Sequence, residues 1–294
     1  MKIGIFGSDY QADKQHFIIK LFEDLARYGA EVWVERTFCD YLAEKISYKP
    51  DIQGIISMDD CCPLDIVLSL GGDGTFLRTA RWVGRQNIPI LGVNTGRLGF
   101  LATVGTGEMD ATLDSIFNHC YRIEERSLLQ ISSPYPTPHN CALNEIAFLK
   151  RDTAAMISIH TCLNDNYLTE YLADGLIVAT PTGSTAYNLS VNGPILVPQA
   201  DNFVLSAVAP HSLNMRSLVI PDNARLHVRI ESRTHDFLVS LDGRTRAFPS
   251  DTEFDVQKAD FTIKMLQREN QNFYDTLRKK MLWGTDVREY FFNP

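Results

Sequence analysis

DIVLSLGGDGTFLRTAR, residues 65–81, is the stretch on which the fold turns. Ile66, Val67, Leu68 and Leu70 make a short apolar run of strand length. Gly71, Gly72, Asp73 and Gly74 follow as a glycine-rich turn, and a helix is predicted to open at Thr75 and run to residue 84. Glycines reach positive φ and let backbone N–H groups come close to a ligand. A helix N-terminus behind such a turn offers unpaired donors and a positive dipole end, which suits phosphate. The spacing is neither G-x-G-x-x-G nor G-x-x-x-x-G-K-[ST], so this is a different phosphate loop, made of Gly71, Gly72, Gly74 and Thr75. Asp73 is the odd member. A carboxylate in an anion cradle is repelled unless it meets a metal, a hydroxyl or a proton to be removed. The plainer alternative is a βα turn whose aspartate serves the helix N-terminus.

Working outward, KIGIFG at 2–7 reads as a buried strand. Phe17, Leu21, Leu25 and Tyr28 recur at helical spacing until Gly29, and EVWVE at 31–35 reads as a second strand. A helix is predicted around Tyr41–Ile46, a strand at PILGVN (89–94), and a helix from Glu108 to about His119. This alternation indicates a parallel sheet covered by helices, with ligands held off the carboxyl ends of its strands. A second glycine turn, Asn94-Thr95-Gly96-Arg97-Leu98-Gly99-Phe100, follows the neighbouring strand and strengthens the case for a phosphate site.

From Tyr121 the texture changes to short strands: SLLQIS, ALNEIAFL, MISIHTCL, LIVAT, NFVLSAV, SLVI, RLHVRI, FLVSL, EFDV and FTIKML. Turn signals at Pro134–Pro138, Asn164-Asp165-Asn166, Pro221-Asp222-Asn223 and Asp242-Gly243 separate them, which predicts an all-β, sandwich-like second domain. The tail NFYDTLRKKMLWGTDV regains helical spacing at Phe273, Leu277 and Met281 and is expected to pack back on the first domain. The expected organisation is an α/β domain over 1–120, a β-rich domain over 121–266 and a tail over 267–294.

The 294 residues are 45% apolar and 22% charged, as in a water-soluble globular chain, and the net charge of −8 argues against nucleic-acid and anionic-membrane partners. No window approaches a transmembrane span, and MKIGIFGSDY has no signal-peptide core. Six scattered cysteines without C-x-x-C suggest reduced thiols in the cytoplasm, and seven histidines show no ligand spacing, so no structural metal is expected.

Three further clusters are too polar or too constrained for ordinary strand. Asn144-Glu145 interrupts ALNEIAFL; the pair could hold two vicinal hydroxyls, or alternation could place one member in solvent. Ala173-Asp174-Gly175 precedes LIVAT and could be a simple turn. Thr180-Pro-Thr-Gly-Ser-Thr-Ala-Tyr187 cannot be a strand, because Pro181 and Gly183 break it. It reads as a loop entering a helix, with Ser184 or Thr185 as N-cap, and so as a second dipole-backed cradle.

With these in view, GGDGT at 71–75, NE at 144–145 and DGLIVATPTGSTAY at 174–187 closely resemble the motifs of NAD kinases. PHSL at 210–213, LDGR at 241–244 and the layout of the whole chain do so too. GGDGT alone has relatives in lipid kinases and phosphofructokinases; its combination with TPTGSTAY is specific. The resemblance implies an α/β domain and a β-rich domain with the site between them, and transfer of the ATP γ-phosphoryl group to the adenosine-ribose 2′-hydroxyl of NAD. It makes Asp73 the general base, with Gly74 in the same loop and Arg78 facing the phosphates. Asn144 and Glu145 would hold ribose or adenine-side groups, and Asp174 the nicotinamide carboxamide. Thr185, Ala186, Tyr187, Asn188 and Ser190 would line the adenosine pocket, and Arg244 would lie near the acceptor end. Many bacterial relatives have Arg two residues before this aspartate; here the position is Leu172, which bears on NAD versus NADH if that Arg chooses between them or grips a phosphate, and is otherwise simply a pocket wall. The resemblance also implies Mg²⁺ or another divalent cation carried by ATP, and a homo-oligomer (dimer or tetramer) with shared sites.

Phosphoryl transfer passes through a loose transition state, so positioning and charge neutralisation dominate. With no P-loop lysine in the motif, backbone amides, arginines and the ATP-borne cation are expected to supply the positive charge. Two alternatives are a lipid kinase, which would want a greasy cleft or basic surface, and a dinucleotide sensor without turnover, against which Asp73 argues.

Overall fold

The structure is a computed structural model that describes residues 1–8, 14–96, 98–132, 134–136, 139–151, 155–269 and 271–284. Arg97 of the second glycine turn, Pro138 of the 134–138 turn and residues 285–287 of the tail lie outside them. The chain divides into two compact units, Met1–Glu125 with Ile263–Pro294, and Arg126–Thr262.

In the first unit the elements are β1 (Lys2–Gly7), α1 (Gln15–Arg27), β2 (Glu31–Glu35), α2 (Arg36–Glu44), β3 (Gly54–Ile56), β4 (Ile66–Gly71), α3 (Asp73–Val83), β5 (Ile90–Asn94), β6 (Val104–Gly105) and α4 (Met109–Phe117). The strands are parallel in the order β3-β2-β1-β4-β5, with β6 beyond β5. Connections leave β1 toward one edge and β4 toward the other, so the strand order reverses between β1 and β4. Near-continuous apolar strands such as β4, buried throughout, fit a sheet covered on both faces. Ile18, Leu21, Phe22 and Leu25 of α1 and Leu113 and Ile116 of α4 join Ile3, Ile5, Leu68 and Val93 in its core.

Three helix boundaries differ from expectation. Helix α3 opens at Asp73, because Gly72 takes the extended N-cap conformation and Asp73 is already helical. Helix α2 opens at Arg36, where the Glu35 carboxylate accepts the Phe38 N–H at 3.0 Å. Helix α4 ends at Phe117 after a 3₁₀ turn at Thr106–Glu108.

The chain leaves this unit within β7 (Tyr121–Ile131) and continues through β8 (Cys141–Ala142), β9 (Glu145–Lys150), β10 (Ile157–Leu163), β11 (Asn166–Ala173), β12 (Gly175–Ala179), α5 (Tyr187–Ser190), β13 (Asn202–Val208), β14 (Leu218–Pro221), β15 (Leu226–Glu231), β16 (Asp236–Leu241), β17 (Arg244–Pro249) and β18 (Glu253–Arg268). One antiparallel layer orders β14-β13-β12-β9-β16-β17; the other pairs β11, β10, β15 and the first half of β18. Phe148, Val178, Phe203 and Phe237 of one layer meet Ile159, Val228 and Phe254 of the other in a shared core, the sandwich expected from the strand spacing. Ala147, Ile177, Ala179 and Val204 are buried on the opposite face under Val191 and Leu196.

EFDV and FTIKML are one strand, since Gln257-Lys258-Ala259-Asp260 contains no breaker. Its end returns to the first unit, where Met265 pairs with Ile90 of β5, and α6 (Phe273–Met281) follows. There Phe273 packs on Phe100, with ring centroids 6.1 Å apart, so the helical tail does pack on the first unit.

Candidate functional site

The glycine-rich turn leaves β4 where the strand order reverses, beside the carboxyl end of β1; the Ser8 N–H donates to Leu70 O there. Ligands of open α/β sheets bind at such points. Of the three loop glycines, Gly71 alone has positive φ, at 158°. At Gly72 and Gly74 a Cβ would meet no atom within 4 Å, so the protein itself does not demand glycine there and that backbone face is open.

Asp73 stands at the start of α3 with its side chain about one-third exposed. Its Oδ1 accepts from the N–H groups of Leu101 (2.9 Å) and Ala102 (3.0 Å), and its Oδ2 from that of Phe100 (3.0 Å). Gly99 is required by this approach, since a Cβ there would lie 2.0 Å from Oδ1. These amides resolve the apparent misplacement of an anion in the cradle. The Phe100 N–H, the last of the second glycine turn, thus holds Asp73 and is not left for phosphate. A carboxylate has about four lone-pair sites; the remaining one is on Oδ2, which the Lys280 Nζ faces from α6 at 3.6 Å.

Arg78 is on the next turn of α3. It donates to Gly7 O and lies 3.9 Å from Glu35, while its Nε is buried with no partner among the described residues. Its guanidinium is anchored to the end of β1.

In the second unit, Asn144 sits on the turn between β8 and β9 and Glu145 opens β9, and both side chains are buried. Asp242 organises that turn: its carboxylate accepts the N–H groups of Leu143 (2.8 Å), Asn144 (2.8 Å) and Glu145 (3.2 Å). Asp242 and Gly243 both have positive φ and close the β16–β17 hairpin, as a two-residue Asp-Gly turn should. Burial pushes the Asp242 carboxyl up, against the pull of these amides and of Arg244. Burial, then the Asp242 charge, raises Glu145 to about 7, while the Tyr187 N–H opposes the shift. Glu145 Oε2 is buried and unpartnered among the described residues.

The 180–187 segment is stitched onto this turn. Thr180 N–H donates to Asn144 O (2.9 Å), Thr180 Oγ1 to Leu143 O (2.6 Å), and Gly183 N–H to Thr180 Oγ1 (3.0 Å). The expected N-cap is absent. Residues Thr182–Thr185 form a 3₁₀ turn and α5 is a single turn, too short for a useful dipole. Ser184 Oγ donates to Pro181 O and accepts the Leu196 N–H, and Thr185 Oγ1 faces Thr182 O.

Tyr187 and Ser190 are exposed and Thr185 and Ala186 half-buried, so these four share an accessible stretch. Asn188 does not: fully buried, it donates to Ser184 O and Pro194 O and accepts from Ser206 Oγ. Asp174 lies at the corner where the chain passes from β11 to β12, and its carboxylate pairs with Lys150 at 2.6 Å. Arg244 donates to His139 O (2.9 Å) and Cys141 O (2.7 Å), bracing the strand before the 143–145 turn. Leu172, on edge strand β11, is 41% exposed. Lys280, the 100–102 amides and the hold of Asp242 on residues 143–145 escaped the sequence reading, in which Asp242 is only a hairpin turn and part of a motif. The Asp-Gly hairpin signal could have pointed to Asp242; nothing local marks Lys280.

A doubly wound sheet with a glycine-rich loop at its switch point, joined in one chain to a β-sandwich with a polar, carboxylate-braced turn, defines a nucleotide-binding α/β protein. Residues 44–121 match the family model for the ATP-NAD kinase N-terminal domain, and residues 143–267 that for the ATP-NAD kinase C-terminal domain. An NAD kinase of Bacteroides fragilis is 48% identical, covering 98% of this chain and 100% of the relative. The yeast NADH kinase solved with NADH superposes with a TM-score of 0.85 at 20% identity, covering 98% of this chain and 89% of that one. An NAD kinase from Archaeoglobus fulgidus solved with ATP gives a TM-score of 0.74 at 24% identity, covering 96% and 99%. The chain belongs to the ATP-NAD kinase family.

Proposed function

We propose that this protein transfers the γ-phosphoryl group of ATP to the 2′-hydroxyl of the adenosine ribose of NAD, making NADP. Family membership over both units supports the reaction. The observation that carries it on this chain is Asp73: a carboxylate at the switch point, fixed by three amides, with one acceptor position left beside an open glycine backbone.

Asp73 takes the role of general base. A carboxylate is too weak a base to ionise a sugar hydroxyl beforehand. It orients the hydroxyl and receives the proton late, as the new O–P bond acidifies it. ATP enters with its divalent cation as substrate, against Gly71, Gly72, Gly74 and Thr75, with Arg78 bracing the loop. Asn144 and Glu145 hold hydroxyls or ring nitrogens of the dinucleotide, Thr185, Ala186, Tyr187 and Ser190 line the adenosine, and Asp174 accepts from the carboxamide. Asn188 and Arg244 act from behind these residues, as supports.

We assign the protein to the cytoplasm, consistent with six unbridged cysteines and, among the described residues, no helix long and apolar enough to cross a membrane. Leu213, 88% exposed, and Leu218 and Val219 on edge strand β14 favour a homo-oligomer, a dimer or tetramer with shared sites. Light scattering that showed an active monomer would remove that part. For the reaction, purified protein is incubated with ATP, Mg²⁺ and NAD and assayed for NADP; no NADP, under conditions where NAD binds, would leave the sensor alternative standing.

A further inference from the structure

The GGDGT turn carries no lysine, yet the structure brings one to Asp73 from the far end of the chain. Helix α6 is held on the first unit by Phe273 against Phe100 and by burial of Thr276 and Leu277, and Asn272 caps it by accepting the Asp275 N–H at 2.9 Å. Its last turn holds Arg278, Lys279 and Lys280. Lys280 reaches the phosphate turn: its Nζ lies 3.6 Å from Asp73 Oδ2 and 4.5 Å from the centre of the Phe100 ring.

The geometry is that of a cation in waiting. At 3.6 Å the ammonium is attracted to Oδ2 without a hydrogen bond of ordinary length. The Phe100 face holds it by cation–π attraction without consuming an N–H donor. Both Lys280 and Asp73 are about one-third exposed, so a ligand can reach them. Oδ2 is also the oxygen with the free acceptor position. A hydroxyl bound there would present its oxygen to an incoming phosphorus at roughly 3–3.5 Å. A lysine stem spans the distance from Oδ2 to that phosphoryl group by rotation about its own bonds.

We propose that Lys280 is a catalytic residue of the phosphoryl transfer, its ammonium contacting the oxygens of the terminal phosphoryl group of ATP; this rests on the kinase assignment above. The balance is simple. The ribose O–P bond forms as the bond from phosphorus to the bridging oxygen breaks, ADP leaves with the electron pair, and the hydroxyl proton passes to Asp73. Lys280 remains protonated throughout and neutralises charge on the group in flight, releasing Asp73 for the hydroxyl. A purely structural Lys280 would only tie α6 to the turn.

The test uses the full chain, with wild type, Lys280→Ala and Lys280→Arg assayed side by side for NADP formation, each with and without ethylammonium. Loss of one such donor lowers kcat by about 10²–10³-fold in comparable sites. We expect a fall of about that size for Lys280→Ala with the KM for NAD within about threefold of wild type. Arginine should restore at least about tenfold, and ethylammonium should restore activity saturably in the alanine variant while leaving wild type unchanged. A merely loosened helix would not be rescued by a small amine. A kcat for Lys280→Ala within about threefold of wild type, or a loss recovered by neither arginine nor ethylammonium, overturns the proposal. A wild-type protein that makes no NADP overturns the kinase assignment itself, and is distinguished because it is seen before any variant is compared.

Discussion

Asp242 accepts the backbone N–H of Glu145 at 3.2 Å and at the same time, after burial, is the main reason the Glu145 carboxyl is raised to about 7. Burial first, and then the charge of the carboxylate that fixes the 143–145 turn, leave the Glu145 side chain part-protonated near neutrality. A protonated carboxyl can donate as well as accept, which widens the set of ligand atoms open to it in the proposed role.

This raised value has a consequence for stability. Glu145 titrates near 4.5 when unfolded and about 7 when folded. Its contribution is fully present below the unfolded value and is lost as pH rises through about 7, because the folded chain must then ionise a buried group. At 1.36 kcal/mol per unit the full swing is on the order of 3 kcal/mol. Glu145→Gln should remove it. Urea midpoints measured at about pH 5 and about pH 8 should fall less with pH in the variant than in wild type; equal falls would show that Glu145 does not carry the shift.

Asp73→Asn removes a proton acceptor and also sets an amide N–H₂ against either the Phe100 donor or the Leu101 and Ala102 donors, since one carboxylate oxygen becomes nitrogen. We expect kcat to fall by about 10²–10⁴-fold. Stability should also fall by about 1.5–3 kcal/mol, as for a hydrogen bond to a charged group. Steady-state kinetics and urea unfolding on one preparation separate the two, and near wild-type kcat would remove the general-base role.

Asp174→Ala takes the partner from Lys150, 2.6 Å away, and an acceptor from the proposed carboxamide position. The KM for NAD should rise by the equivalent of about 1–3 kcal/mol while that for ATP stays near its original value. Equal rises for both substrates would make Asp174 a support for the β11–β12 corner.

The sheet and the glycine-rich loop were legible because their signals are local. Apolar runs, Gly29 after α1 and the Asp242-Gly243 hairpin each state their structure within a few residues. What stayed hidden depends on pairings distant in sequence: the 100–102 amides on Asp73, the Asp242 carboxylate under residues 143–145, and Lys280 beside Asp73. Asn188 shows the opposite failure. It lies beside Tyr187 in the motif, where the resemblance implies a pocket residue, yet the helical turn rotates it inward onto Ser184, Pro194 and Ser206. A motif marks a neighbourhood; which side chains face outward is set by backbone that the motif does not spell out.

The last prediction contrasts two glycines. A Cβ on Gly183 would lie 2.0 Å from Asn144 O and 2.4 Å from its carbonyl carbon, both backbone atoms that cannot swing aside. Gly183→Ala must therefore push the 182–187 turn off Asn144, straining the Thr180–Asn144 and Gly183–Thr180 hydrogen bonds. Overpacking of this kind costs about 1–3 kcal/mol, and the KM for NAD should rise with it. Gly74→Ala meets nothing within 4 Å, and a helical alanine is favoured over glycine by about 0.5–1 kcal/mol. That variant should be as stable as wild type or more so. If the open face at Gly74 receives phosphate, its methyl group should nevertheless raise the KM for ATP. Thermal unfolding and steady-state kinetics on both variants give four readings. An unchanged KM for ATP in Gly74→Ala would move the phosphate away from this turn, and a Gly183→Ala protein with wild-type stability and KM for NAD would show that the close packing on Asn144 does not shape the dinucleotide pocket.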